Sequence, residues 1–451
     1  MPAPELAPLD EMVDRLERVV EGSPADSTEL AWVEAVRHLE SNGKRRRDTF
    51  ERRERTVFVR VRERGRTGLH RTGAAGLSDL DAAVRQALAH ARMTPAAAAA
   101  GSGAAPPAAA AAEPAGPAVI PVGSSPLFDP ELARLAGPWA RDRVHRLVGK
   151  GELAWLAWME GRVAVVGSGG LRRAARATAA TLQVSCGRGP GAGSAHAAAR
   201  SLAGLDLPRV FARARERHAP WQPAAPPAGT PPLLLSQEAV ARLLDLLCQL
   251  TLSTLSFHEG RAALRGRLGT QVFHPAITLR DDPLDPRALP FPFDIAGTPA
   301  AAVELIARGV ARTPAVDAPL GRELGLPVTP HAVSHDEARP DHLALAPGGA
   351  GWEELARAAA GGLWIGALDP LESFDPMQLR FRATAGGVRR LDGDRLGDPL
   401  PDLVWEDSLF AVLSRVRAVG SEPVTVARDV LGGTTAPMLV VEPAAPLRVK
   451  N

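Results

Sequence analysis

The chain has 451 residues and a formal net charge of +2. That length suits two or three domains with cores that need no staples, and so balanced a charge gives no strong pull toward nucleic acid or membrane. Its two cysteines, Cys186 and Cys248, cannot build a disulfide framework, which points to a reducing, cytoplasmic setting.

No apolar run reaches the roughly 18 residues of a membrane span, and Met1 to Asp10 lacks the basic start and apolar core of a signal peptide. Positive charge is almost all arginine; the only lysines are Lys44, Lys150 and Lys450.

Leu9, Met12, Val13, Leu16, Val19 and Val20 share one helical face over residues 9–20. Residues 29–39 and 56–62 read as strands, the second with clear period two. Between them, the Arg- and Glu-rich stretch Lys44 to Arg55 suits a solvated hairpin end. A helix follows at about 78–92, with Ser78 or Asp79 as its cap. Residues 94–126 are Ala, Pro and Gly with few large side chains, a flexible linker or insertion that cannot bury enough apolar surface to order itself.

Beyond it the pattern repeats. Glu29-Leu30-Ala31-Trp32 returns as Glu152-Leu153-Ala154-Trp155, and Leu77-Ser78-Asp79-Leu80-Asp81 as Leu202-Ala203-Gly204-Leu205-Asp206, in the same order. This predicts a duplicated strand-strand-helix unit. The second copy has a helix near 130–148, strands near 152–158, 163–167 and 178–186, and a helix near 206–217. The Gly-rich run 187–193 fits a turn after a hairpin strand, because no Lys-Ser/Thr follows it as a phosphate loop requires.

Six prolines between Pro220 and Pro232 close an N-terminal α/β domain, 1–222. A second domain, 231–451, opens with Leu233-Leu234-Leu235 and a long helix near 236–255. It continues in short strands, at 276–280, 303–307, 343–346, 363–367, 379–384 and 438–442. The expected class is α+β, an α/β domain followed by a β-rich one.

The C-terminal half resembles the TldD/PmbA family, whose members are often labelled modulators of DNA gyrase. The resemblance is carried by Gly266-Arg267-Leu268-Gly269-Thr270-Gln271-Val272, Leu279-Arg280-Asp281-Asp282-Pro283, Pro292-Phe293-Asp294, Leu343 to Gly348, and Gly432-Gly433-Thr434-Thr435-Ala436-Pro437. It implies two kinds of chain that pair. TldD-like members hold zinc with a His-Glu-x-x-x-His helix and a later Cys in Gly-x-Cys-Gly; PmbA-like (TldE-like) members lack those ligands.

Here the helix at 236–255 has no His, and its polar residues Glu238, Asp245 and Gln249 are not a ligand set. Gly432-Gly433-Thr434-Thr435 stands where the Cys motif would be. The chain therefore resembles the PmbA/TldE kind: a non-catalytic subunit with no cofactor of its own, pairing as a heterodimer with a zinc-bearing TldD-like metallopeptidase chain. The implied substrate is an unfolded peptide, in some relatives a ribosomally made peptide undergoing maturation. Interface or peptide-contact candidates are Phe257, Arg261, Gly269, Gln271 and the loop Gly432, Gly433, Thr434 and Thr435.

Two alternatives stand beside this. One is an independent hydrolase with a metal on His331, His335 and His342, though Pro327, Pro330 and Pro340 argue for a polar loop there. The other is a homo-oligomeric peptide-binding or regulatory protein. His258-Glu259 begins like a metal motif but meets Ala262 and Ala263 where a His should follow, and Lys44-Arg45-Arg46-Arg47 lacks the aromatics of a nucleic-acid surface.

Overall fold

The computed structural model describes residues 6–43, 47–94, 127–135, 137–220, 225–226, 228–283, 285, 287–289, 291–429 and 432–450. The expected linker at 94–126 falls, beyond Thr94, outside the described residues.

The N-terminal half runs α1 (Leu9–Glu21), β1 (Ser27–Gly43), β2 (Arg47–Glu63), β3 (Arg66–Thr72) and α2 (Leu77–Met93). It resumes with α3 (Pro130–Ala133), α4 (Gly137–Leu147), β4 (Glu152–Gly167), β5 (Leu171–Cys186), β6 (Gly193–Ala199) and α5 (Leu207–Glu216). All six strands form one sheet in the order β3-β2-β1-β4-β5-β6, antiparallel throughout. The order is a palindrome: two copies joined through their first strands, β1 and β4. The two Glu-Leu-Ala-Trp matches both lie at the start of these strands. The unit has a third strand, β3 or β6, that the sequence pattern did not reveal.

Alternation along the strands sorts the two faces. Leu30 and Trp32 point to the side covered by α1 and α2; Leu156, Trp158 and Leu182 do the same for the second set of helices. On the opposite face, Ala31, Val163, Val165, Ala175 and Ala177 pack against Phe291, Phe293 and Ile295 of the C-terminal half.

Two glycines set how closely the helices approach. A Cβ on Gly68 of β3 would sit 1.8 Å from the Ala87 carbonyl of α2, and one on Gly193 of β6 would sit 2.1 Å from the Ala214 carbonyl of α5. Equivalent glycines thus seat equivalent helices in the two copies, far inside any van der Waals contact.

Two of three local expectations change. The charged stretch is strand from Arg47: it pairs with β1 to the end of the hairpin, Asp48 to Arg52 are exposed as a solvated hairpin end would be, and Arg53 and Arg55 both grip Glu34 Oε1, at 2.7 and 2.8 Å. Cross-strand pairing of opposite charges lets so charged a sequence continue as strand. The cap of α2 is Gly76, with no side-chain hydrogen bond, so Ser78 and Asp79 lie inside the first turn. The long helix near 236–255 stops at Thr251 and restarts at Thr254, where Ser253 caps the new helix through the Ser256 N–H.

The C-terminal half contains β7 (Leu233–Leu235), α6 (Gln237–Thr251), α7 (Thr254–His258), β8 (Leu279–Asp281), β9 (Val303–Ala307), β10 (Val310–Ala311), α8 (Ala318–Leu324) and β11 (His342–Leu345). After α9 (Trp352–Ala358) come β12 (Leu363–Ile365), β13 (Ala367–Asp375), β14 (Arg380–Gly386), β15 (Arg389–Asp392), β16 (Arg395–Pro399) and β17 (Leu403–Ser408). It ends with α10 (Leu409–Ser414), β18 (Val416–Val419), β19 (Val424–Asp429), β20 (Gly432–Ala436), β21 (Leu439–Val441) and β22 (Arg448–Val449).

Two six-stranded sheets, β10-β9-β8-β11-β20-β19 and β16-β15-β12-β7-β21-β18, are joined by a four-stranded one, β13-β14-β17-β22. Helix α6 is buried nearly all round, as a helix must be when its apolar residues are not confined to one stripe. It lies against β20 and β13. The architecture is the expected α+β class.

Candidate functional site

Two buried polar centres flank β11 and β20. The first is the junction of α6 with β20. Asp245 is buried on α6, and the Thr434 hydroxyl of β20 donates to its carboxylate. One turn along the helix, the Cys248 thiol faces the Pro340 carbonyl at 3.4 Å. The next strand side chain, Thr435, shares a hydroxyl–hydroxyl bond of 2.9 Å with Thr425. A divalent ion would need several convergent anionic or imidazole ligands and an open position. This junction offers one carboxylate, already bound to a hydroxyl, and does not fit such an ion.

The second centre lies where β8 ends and β11 begins. Asp281 is the last residue of β8 and is 1% exposed. His342 pairs its β11 backbone to both neighbours, and its N–H donates to Asp281 Oδ1 at 2.6 Å. His331 reaches in from the loop between α8 and β11. Its Nε2 donates to Asp281 Oδ2 at 2.9 Å, and its Nδ1 meets the Thr329 hydroxyl at 2.8 Å.

Burial alone would push the Asp281 carboxyl up, but His331, His342 and their hydrogen bonds outweigh it and hold the group well below the usual carboxylate range. The carboxylate is ionised at neutral pH. His342 Nδ1 stands 3.9 Å from Asp281 Oδ2, while its Nε2 is buried with no hydrogen-bond partner.

This centre opens into a cavity of about 230 Å³ between the two halves of the chain. The N-terminal sheet supplies one wall through Val33, Phe58 and Val163; the loop after β8 supplies the other through Phe291, Phe293 and Ile295. Asp294, Arg339 and Asp341 complete the polar lining. Burial raises the Asp294 carboxyl despite N–H donation from Ala332, Thr298 and Ala296. Arg339 pairs with Asp341 through Nε at 3.2 Å.

The expected site residues do not form one place. His331 and His342 converge on Asp281, but His335 turns away to the N-terminal sheet. Its ring lies edge-on to Phe58 at 6.3 Å, and burial together with the Arg60 charge takes its pKa down to about 3. Among the described residues, no group of three or more His, Cys, Asp or Glu could hold a metal ion.

Gly432, Gly433, Thr434 and Thr435 are not a loop but the buried strand β20. Gly432 has to be small, because a Cβ there would lie 2.6 Å from the Asp341 carbonyl. Phe257 is fully buried against Ala262, Val316 and Leu320, so it packs rather than touches a ligand. Arg261 pairs with Glu259. Gly269 makes a positive-φ turn, φ +80°, and exposed Gln271 bonds the Arg308 carbonyl at 3.0 Å; both lie at the β10 edge. His258 is held by Asp317 at 2.9 Å.

Asp281, Phe58 and Phe291 were not singled out from sequence. Asp281 stood inside a quoted motif, Leu279 to Pro283, yet nothing local marks a carboxylate whose partners are 50 and 61 residues away.

Residues 228–445 match the PmbA/TldA metallopeptidase C-terminal domain. No curated protein sequence matches the chain. Solved structures share its fold across almost the whole length. A Thermotoga maritima protein labelled a modulator of a DNA gyrase aligns with TM-score 0.77 and 18% identity, over 96% of this chain and 99% of its own. TldE from Thermococcus kodakarensis aligns with TM-score 0.76 and 16% identity, over 98% and 100%. A Bacteroides thetaiotaomicron protein, also labelled a modulator of DNA gyrase, gives TM-score 0.76 and 14% identity, over 98% and 99%.

The fold is thus that of a metallopeptidase-type family with a duplicated N-terminal unit and a β-rich C-terminal half. Its C-terminal half, residues 228–445, belongs to the PmbA/TldA metallopeptidase C-terminal domain family. None of its described helices is long and apolar enough to cross a membrane.

Proposed function

We propose that the chain is the non-catalytic partner subunit of a heteromeric TldD/TldE-type zinc metallopeptidase that acts on unfolded peptides. The carrying observation is the α6–β20 junction. In the zinc-bearing members that this chain resembles, a helix and a later Cys supply the ligands. Here the corresponding helix presents Asp245 to Thr434, with apolar packing around it. Hydrolysis would then depend on a zinc held by the partner, which would supply activation of the attacking water. The present chain contributes wall and peptide contacts. Extended peptides suit this role because exposed strand edges bind them through backbone hydrogen bonds without strong sequence demand.

The test is to co-express this chain with a TldD-like chain carrying His-Glu-x-x-x-His, then measure mass, zinc content and cleavage of an unfolded peptide. The expected result is a hetero-oligomer with zinc in the partner and chelator-sensitive cleavage only in the complex. Stoichiometric zinc and chelator-sensitive cleavage by this chain alone would overturn the proposal, as would a persistent homodimer that ignores the partner.

A further inference from the structure

The helix-covered side of the N-terminal sheet changes character across its width. Under α1 and α2 it presents Leu30, Trp32, Val57 and Val59, and under the second set of helices Leu156, Ala180 and Leu182. Between the two helix sets the side chains turn polar. Strand register sets one rung there as Arg55, Glu34, Arg162 and Arg176, running across β2, β1, β4 and β5. Arg53 and Arg55 both bind Glu34, and Arg162 binds Glu160 at 2.8 Å. Arg176 stands directly opposite Arg162, and like charges in that relation destabilise a strand pair.

We propose that this seam binds an oxyanion, a phosphoryl or carboxylate group carried by a small molecule, between the guanidinium groups of Arg176 and Arg134. The first support is access. Arg176 lines a cavity of about 390 Å³, within the roughly 300–1,000 Å³ of a small-molecule cleft. Only its Nε is closed to solvent without a partner. Nη1 and Nη2 make no hydrogen bond to a described residue, and the side chain is only partly buried, so both keep surface that a ligand can reach. The planar group rests on Phe128, 3.5 Å from the ring centroid, which holds it in place.

The second support is charge. Arg134, Arg162 and Arg176 line the cavity with Glu51 and Glu160. Glu51 lies beside His38 at 3.4 Å. Glu160 is the carboxylate whose charge reaches Arg176, and it is already bonded to Arg162. Arg134 is exposed, with no ion-pair partner among the described residues. Burial lowers the Arg176 guanidinium from its ordinary value, and the Arg162 and Arg134 charges act in the same direction against Glu160. An arginine stays charged at neutral pH all the same, so the seam carries positive charge that the fold leaves uncompensated. The third support is chemistry. Guanidinium groups match the paired oxygens of phosphate and carboxylate, and Val36, Pro130 and Trp158 give the rest of the cavity apolar surface for the body of the molecule.

The test uses the full chain and three probes at constant ionic strength: phenyl phosphate, benzoate and neutral benzamide, titrated by calorimetry. At least one anion should bind, and benzamide should bind roughly tenfold more weakly or worse. Tighter phenyl phosphate assigns the site to a phosphoryl group and tighter benzoate to a carboxylate; equal affinities support the shared oxyanion chemistry. Arg176→Gln should weaken the bound anion by about tenfold or more, and Arg176→Lys by less, because the charge stays while the planar pair of donors goes. Arg134→Gln should weaken it too. Circular dichroism and a thermal melt identify any variant that fails to fold, and exposed Arg134 provides the second route if Arg176→Gln does. Arg172→Gln, on the same strand but outside the cavity, should leave binding unchanged.

The proposal is overturned if benzamide binds as tightly as the anions, or if neither anion binds at millimolar concentration. Anion binding equal in wild type, Arg176→Gln and Arg134→Gln overturns it as well, as does a loss in Arg172→Gln as large as in Arg176→Gln.

Discussion

The two buried polar centres on either side of β11 and β20 differ in one respect. At the α6–β20 junction the buried hydroxyls have partners: Thr434 gives a hydrogen bond to Asp245, and Thr435 shares one with Thr425. At the Asp281 centre, the carboxylate is fully occupied by His331 and the His342 N–H, but the second imidazole nitrogen of His342 is left without a partner at a cavity wall. A satisfied buried network specifies a fold; one that leaves a buried nitrogen unpartnered carries a cost that packing elsewhere has to offset. The first centre marks where metal chemistry is not supported by this chain's residues. The second marks where the fold tolerates an unpartnered buried nitrogen.

The sharpest way to break that contrast is to remove the anchor of the second centre. Asp281→Ala leaves the His331 imidazole and the His342 N–H without their acceptor, and removes the charge beside the His342 ring, in a site almost closed to water. Breaking one side of a buried charged network costs about 3–5 kcal/mol. Urea or guanidinium unfolding should show that loss, and a cost below 1 kcal/mol would mean the cluster is wetter and looser than its geometry.

The third imidazole of the same loop gives the next effect, through pH. His335 keeps part of its surface exposed, but both ring nitrogens are shielded from solvent, and its pKa falls to about 3. Above pH 6.5 neither the folded nor the unfolded chain protonates it. Between 6.5 and about 3 the unfolded chain takes up a proton that the folded chain refuses. Stability is therefore present above the unfolded value and is lost as pH falls, by up to about 1.4 kcal/mol per unit. Burial also lowers His38, His70 and His196, so the whole protein loses more than this. The difference between wild type and His335→Leu, measured at pH 7 and pH 5, isolates the one residue. Parallel slopes for the two proteins would refute a neutral, shielded His335.

The N-terminal half was legible because its information is local. Period two in Thr56 to Arg62, the returning Glu-Leu-Ala-Trp and the shared helical face of Leu9 to Val20 each depend on neighbours along the chain. β3 and β6 escaped because Arg66–Thr72 and Gly193–Ala199 carry little apolar alternation. Their place comes from Gly68 and Gly193 admitting a helix. In the C-terminal half, the missing His on α6 was readable residue by residue. The cavity was not, since it assembles Phe58 of β2, Asp281 of β8 and His342 of β11, and only the packed fold brings them together. The pattern of His331, His335 and His342 was even misleading, because the loop reverses between the first and second and sends them to different walls.

The smallest effect tests the satisfied centre. Thr434→Val keeps shape and β-branching, so β20 retains its pairing with β11 and β19, but the Asp245 carboxylate loses its hydroxyl donor. A hydrogen bond to a charged group contributes about 1.5–3 kcal/mol, and Asp245, at 5% exposure, keeps other interactions when the hydroxyl is lost. The loss should therefore lie near the lower end, about 1.5 kcal/mol, read as a shift of the denaturant midpoint at constant slope. If Thr434→Val instead costs as much as Asp281→Ala, the two centres act as one network through β11, and the distinction between them disappears.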